Sequence, residues 1–203
     1  MKLKLEVPTT LHDITLDQYS RFVKAFDNED DASEQYAGLK MLEIFCGVKT
    51  AEALTIKISE IQKITTVLNK ALDEKTQLIT RFSMGGIEFG FVPQLDNLTF
   101  GEFVDIENNV GDWDTMYKAM AVLYRPVALK AKGKYTLQDY TGDNYHEAMK
   151  VMPASIVLGA LQFFFLLEAD LLKVTLASSL AAETKTQQDE PQISIVNGGG
   201  ITV

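Results

Sequence analysis

GIEFGFVPQLDNLTFGEFVDIEN, residues 86–108, is the stretch that decides how this chain is built. Ile87, Phe89 and Phe91 alternate with Glu88 and Gly90, and a period of two predicts a strand with one face inward. Pro93 closes it, because proline has no N–H to give to a ladder. Thr99 then stands before Phe100, Phe103, Val104 and Ile106, with Glu102 three residues on. A threonine followed three residues later by a glutamate makes a capping box, which satisfies orphan N–H groups at a helix start. The stretch is a strand-to-helix junction, and it carries no catalytic motif.

A fainter copy lies at the other end. Residues 3–22 read LKLEVPTTLHDITLDQYSRF. Residues 2–7 alternate and predict a strand with Leu3, Leu5 and Val7 inward, ended by Pro8. Thr15 and Gln18 form the second capping box, ahead of Leu16, Tyr19, Phe22, Val23 and Phe26 on one helical face. Residues 135–140 (YTLQDY) repeat only the last part. Two origins stay open for the echo. It is either a duplication of a small α+β unit, joined near residues 73–80, or turn chemistry used twice, since strand-to-helix turns favour Pro, Asp and a Thr cap.

The rest reads as helices with small β pieces. Tyr36, Leu39, Leu42 and Phe45 form a helical face closed by Gly47. A short helix covers residues 51–54. Ser59 caps a helix through Ile61, Ile64, Val67, Leu68 and Leu72. Two strand-like runs flank Gly85-Gly86 and predict a hairpin. Asp112 or Asp114 opens a helix bearing Trp113, Met116, Tyr117, Met120, Leu123 and Tyr124, which Pro126 ends or kinks. Residues 130–134 (KAKGK) read as a basic loop, and Thr136 starts a short turn. Pro153 precedes the most apolar helix, residues 154–167, with a pattern that continues to about 182. Its uninterrupted apolar run of 14 residues is shorter than the roughly 20 that a membrane span needs. The expected class is mainly α with small β elements (α+β): helical, bundle-like units over residues 1–78 and 79–182, and a flexible tail over 183–203, where Ile193 to Val196 is the one apolar piece.

Composition narrows the function. The chain has 203 residues, 46% hydrophobic and 23% charged, with a net charge of −9, which is enough apolar content for a core. An acidic field repels phosphate backbones, so nucleic acid is not an expected partner. Residues 27–31 (DNEDD) are not an EF-hand loop: the sixth position is Ala32 and the twelfth Gly38, where Gly and Glu are required. The single cysteine, Cys46, excludes an intrachain disulfide and sits in apolar surroundings that predict an inert thiol. His12 and His146 stand apart, with no metal-ligand spacing, and neither a nucleophile elbow nor a phosphate-binding loop occurs. The residues predict no enzyme, no cofactor and no metal. No signal peptide is legible at the N-terminus, and the expected place is a cytoplasm.

One resemblance is carried by Gly86, Phe89, Phe91, Val92 and Pro93, then Leu98, Thr99, Phe100, Gly101, Glu102, Phe103 and Asp105, then Asp112-Trp113 and Leu123-Tyr124-Arg125-Pro126. These resemble small virion-morphogenesis proteins of tailed bacteriophages, most of all those of crAss-like and related groups. The likeness covers roughly residues 80–175. The short, acidic, helical chain is similar to tail assembly chaperones, which keep a tape measure protein soluble until the tail tube forms around it. The resemblance implies a non-enzymatic assembly factor in the host cytoplasm that binds the tape measure or another tail protein through apolar helix faces. The alternative is a structural virion component, a connector, ring or tail protein, that stays in the particle. Trp113, Met116 and Met120, or Phe163, Phe164 and Phe165, are candidate partner-binding residues, since Met and aromatic side chains anchor adaptable interfaces; plain core is the other role open to them. A homo-oligomer stays open.

Overall fold

The computed structural model describes residues 5–27, 33–142 and 145–166. The acidic run at 28–31, Leu3, the helical pattern beyond 166 and the tail at 183–203 lie outside the described residues. Helix α1 spans Leu16–Phe26, α2 Glu34–Cys46, α3 Thr50–Ala53 and α4 Ile58–Leu72. Strands β1 (Arg81–Met84) and β2 (Ile87–Phe91) lead to α5 (Phe100–Asn109) and α6 (Met116–Leu123). Strands β3 (Tyr124–Ala131) and β4 (Lys134–Leu137), the short helix α7 (His146–Met149) and a helix over residues 154–166, here α8, complete the order. This is an α+β fold with one four-stranded antiparallel sheet, ordered β1-β2-β3-β4.

Local signals set the element ends. In α1 the Thr15 hydroxyl accepts the Gln18 N–H at 3.2 Å, and Gln18 Oε1 accepts the Thr15 N–H at 3.0 Å. In α5 the Glu102 N–H donates to Thr99 Oγ1 at 3.3 Å, and Thr99 N–H donates to Glu102 Oε2 at 2.7 Å. Gly47 ends α2 with φ +65°, the left-handed cap that glycine adopts without a Cβ clash. Gly85 and Gly86, at φ +58° and +79°, make the two-residue turn between β1 and β2.

Other expectations are corrected. Residues 5–7 are not in a strand, although Leu5 and Val7 do lean on apolar clusters while Glu6 is exposed. Helix α4 begins at Ile58 with Lys57 at the cap, so Ser59 lies inside the first turn. Asp112 accepts the Asp114 N–H at 2.8 Å, which caps a turn before α6 rather than α6 itself. Tyr124 is not helical, and the basic loop and the turn at Thr136 are largely a β3–β4 hairpin, turning at Lys132-Gly133. Pro126 disfavours helical backbone at Arg125. The chain leaves α6 at Leu123 and runs out as a strand, pairing Phe91 with Tyr124 and Phe89 with Pro126.

One face of the sheet is aromatic. The Phe82 and Phe89 rings stack at 5.5 Å, and the Phe91 ring meets Tyr124 at 5.2 Å and Phe163 of α8 at 5.8 Å. The Tyr124 hydroxyl donates to Ile79 O at 2.8 Å, and burial pushes its ionisation well above the usual phenol range. On the other face, Gly90 leaves room for the Tyr135 ring: a Cβ there would lie 2.6 Å from Tyr135 Cε2.

The chain divides into a compact unit, Met1–Phe163, and a second beginning at Phe164, of which residues 164–166 are described and helical. Within the first unit residues 14–17 and 150–154 interlock. Leu16 N–H donates to Met152 O at 2.8 Å, Asp17 N–H to Lys150 O at 2.9 Å, and Ala154 N–H to Ile14 O at 2.8 Å. Ala154 packs in one cluster with Leu11, Ile14, Met41, Phe45 and Leu68. Cys46 is half-buried beside the clusters of α2, and burial pushes its thiol up. Its reaction with an aromatic disulfide reagent at pH 7 is expected to run at least about tenfold slower than in the urea-unfolded chain, because only the thiolate attacks. Equal rates would show that Cys46 is freely accessible.

Candidate functional site

Three helices of the N-terminal half leave an apolar groove open. Gly38 of α2 faces α4, where a Cβ would make ordinary contact 3.5 Å from the Ile61 and Thr65 methyl groups. The short helix α3 then folds back, with Ala53 buried against Leu42 and Val48. The groove between them, about 500 Å³ in volume, is lined chiefly by Leu39, Ala53, Leu54, Ile56, Ile58 and Ile61. Leu54 and Ile58 are each 75% exposed on its rim. Helices that stack their apolar faces normally cover such residues, and two large aliphatic side chains left uncovered on one groove make it a candidate binding surface. Glu34 is the charged residue of the lining, so the groove is suited to an apolar helix face rather than to a charged small molecule.

A second, polar niche of about 270 Å³ is lined by Asp105, Asn109, Lys118, Tyr140, Gly142 and His146. The Tyr140 hydroxyl lies 3.0 Å from Asp105 Oδ2, 2.8 Å from Gly142 O and 3.4 Å from His146 Nε2. Tyr145, left-handed at φ +63°, starts α7 and sets His146 at the niche; its ring is held edge-on to Phe89 at 5.7 Å and its hydroxyl by Gln138 at 3.2 Å. The niche brings one histidine and one carboxylate onto the same hydroxyl, and these polar groups satisfy one another. Among the described residues no three His, Cys, Asp or Glu side chains are placed to hold a metal ion.

The residues singled out in the sequence separate. Met116 and Met120 are buried at 2% and 0% exposure, so they are core and not partner-binding; they fill the inward face of α6 beside Ala119 and Leu123. Trp113 is half-buried, its ring 5.1 Å from that of Tyr19 in α1, and it lines a polar surface dip with Lys24, Asp114 and Lys150. Phe163 packs on Phe91, Phe164 is half-buried, and Phe165 is 68% exposed. Trp113 is at the surface while Met116 and Met120 are in the core, so these three do not form one exposed face.

Comparison with protein-family models, with curated proteins and with solved structures finds no match. Function must therefore be inferred from the chain's own residues and geometry. Sequence reading missed the groove because Leu54, Ile56 and Ile58 belong to a turn and a helix start rather than to a long periodic face. The available signal was their position: apolar residues at every second place, left over after the faces of α2 and α4 had been assigned. Among the described residues, no helix is long and apolar enough to cross a membrane.

Proposed function

We propose that this chain is a non-enzymatic phage assembly factor, a tail assembly chaperone that holds the tape measure or another tail protein by an apolar helix face. The observation that supports it is the open groove of α2, α3 and α4, with Leu54 and Ile58 uncovered on its rim. A chaperone for a long helical client needs reversible apolar contact along a helix, and a shallow aliphatic groove offers that without a deep pocket. The resemblance of roughly residues 80–175 to small virion-morphogenesis proteins supports the phage context.

Co-expression with the tape measure protein of the same phage tests the proposal. The wild-type chain is expected to raise the soluble fraction of that protein several-fold. The double variant Leu54→Asp/Ile58→Asp is expected to lose most of this gain while its own thermal melt stays close to wild type, since substitutions at exposed positions cost little. No gain from the wild-type chain would count against a chaperone. Mass spectrometry of purified virions separates the alternative: presence at stoichiometric levels would make the chain a structural component of the particle.

A further inference from the structure

The chain ahead of α1 runs along α4 toward the open groove. Leu11 N–H donates at 2.7 Å to a carboxylate oxygen of Glu74, just past the end of α4. Val7 packs against the cluster that holds Met41, Phe45 and Leu68, with Leu72 beside it. Leu5 packs against the next cluster, Leu42, Val48 and Ala53, with Ile56 and Ile61 beside it. From Leu11 back to Leu5 the contacts thus step from the last turns of α4 toward its first. Glu6, between the two apolar side chains, is exposed. An alternation of this kind sends every second side chain to one side of the segment, and here that side is the apolar surface of α2, α3 and α4.

Leu5 stands at the edge of the groove. Ala53 of its cluster lines the groove, and so do Leu39, Ile56 and Ile61, which pack on that cluster. Leu54 and Ile58 are the uncovered apolar side chains of the same groove. Ile58 precedes Ile61 by one helical turn, about 4.5 Å along α4. Leu3 precedes Leu5 by two residues, about 7 Å of extended chain, and it continues the alternation of Leu5 and Val7. Reach and register therefore match. Charge matches as well: Lys2 and Lys4 alternate with Leu3 and Leu5, and Glu34 of the groove lining makes no ion pair among the described residues.

We infer that residues 1–4 of this chain dock in the groove of α2, α3 and α4, with the Leu3 side chain between Leu54 and Ile58 and Lys2 or Lys4 toward Glu34. The groove then carries its own occupant, bound as a continuation of the contact that Leu5 makes. Covering one leucine on a shallow face contributes little beyond the entropy cost of ordering four residues, so the segment leaves readily when another apolar chain competes. A client binds with an apparent affinity reduced to the fraction of molecules whose groove is free. This last step, competition with a client, rests on the chaperone reading; the docking of residues 1–4 does not.

The test uses the full chain with its leucine and isoleucine methyl groups labelled for NMR. Nuclear Overhauser contacts from Leu3 to the Leu54 and Ile58 methyls are expected. Leu3→Asp should abolish them and raise the fluorescence of added anilinonaphthalene sulfonate several-fold, with a thermal melt close to wild type, since substitutions outside a packed core cost little. Leu3→Met keeps an apolar side chain and should leave the dye signal at the wild-type level. Co-expression with the tape measure protein reads the competition: Leu3→Asp is expected to give a larger soluble fraction of it than wild type, and an equal fraction would remove the competition. Three outcomes would overturn the docking: no contact from Leu3 to any groove methyl, dye binding unchanged by Leu3→Asp, or contacts found only between differently labelled copies, since those would seat Leu3 in a second copy of this chain. Contacts present with no gain in client solubility from either chain would sink the chaperone reading and leave the docking standing.

Discussion

Glu102→Ala is expected to destabilise the protein by about 3 kcal/mol, the lower end of the range for breaking a buried ion pair. Among the described residues Glu102 is the charged side chain that is buried, at 7% exposure. One carboxylate oxygen pairs with Arg125 Nη1 at 2.9 Å and the other accepts the Thr99 N–H at 2.7 Å. The same side chain thus closes the capping box of α5 and ties that helix to β3. Its removal strips a partner from Arg125, whose side chain is only 14% exposed and whose Nε already lacks one. It also leaves the Thr99 N–H without its acceptor. Urea unfolding followed by far-UV circular dichroism measures the loss. The double variant Glu102→Met/Arg125→Met, which removes both charges and keeps side-chain volume, is expected to lose less than Glu102→Ala alone. A loss below about 1 kcal/mol for Glu102→Ala would place the pair in the class of solvent-exposed bridges.

Gly159→Ala is the second large effect, and its sign runs against helix propensity. Gly159 lies within α8, where alanine alone would favour the helix by about 1 kcal/mol. A Cβ at this position would fall 2.2 Å from the carbonyl oxygen of Gln77 and 2.7 Å from its carbonyl carbon. Those are backbone atoms of the segment leading into β1, so no side chain can rotate out of the way. Either α8 or that segment must move, and overpacking of this kind costs about 1–3 kcal/mol. A net fall of about 2 kcal/mol, read as a lower urea midpoint at unchanged slope, is expected. Gly101→Ala is the matched control, since its Cβ meets nothing; its midpoint should stay level or rise slightly. Equal behaviour of the two variants would mean that α8 does not sit against Gln77.

How much could be read in advance depends on the range of each interaction. Thr15 with Gln18, Thr99 with Glu102, Gly47 and the Gly85-Gly86 pair act within three or four residues, and all of them end up in the roles their neighbours predict. Tyr124 to Leu137 failed for the opposite reason. Its pattern of apolar and basic residues suits a loop as well as an edge hairpin, and the hairpin is decided by β2, whose Gly90 accepts the Tyr135 ring and whose Glu88 pairs with Lys130. The groove of α2 to α4 was not legible because its residues are apolar in the ordinary way, and only the packing shows that nothing in the described chain covers them.

The sequence by itself determined where α1 and α5 begin, where α2 ends, where the β1–β2 hairpin turns and that the class is α+β, since capping boxes and glycine turns are local and survive in any tertiary setting. Tertiary structure alone decided which apolar faces are spent. Met116 and Met120 share a helical period with many interface residues, yet they are core because α6 packs that face inward. Phe100 and Leu16 occupy the same place in the same capping unit, and one is bare while the other is covered. The difference is a segment more than 130 positions away, residues 150–154, that returns to α1 and leaves α5 open. Burial depends on what distant chain is brought alongside, and a local pattern carries no record of that. The junction at residues 86–108 is thus a fold-defining element by its letters, and the exposure of its Phe100 is set by what the distant chain leaves uncovered.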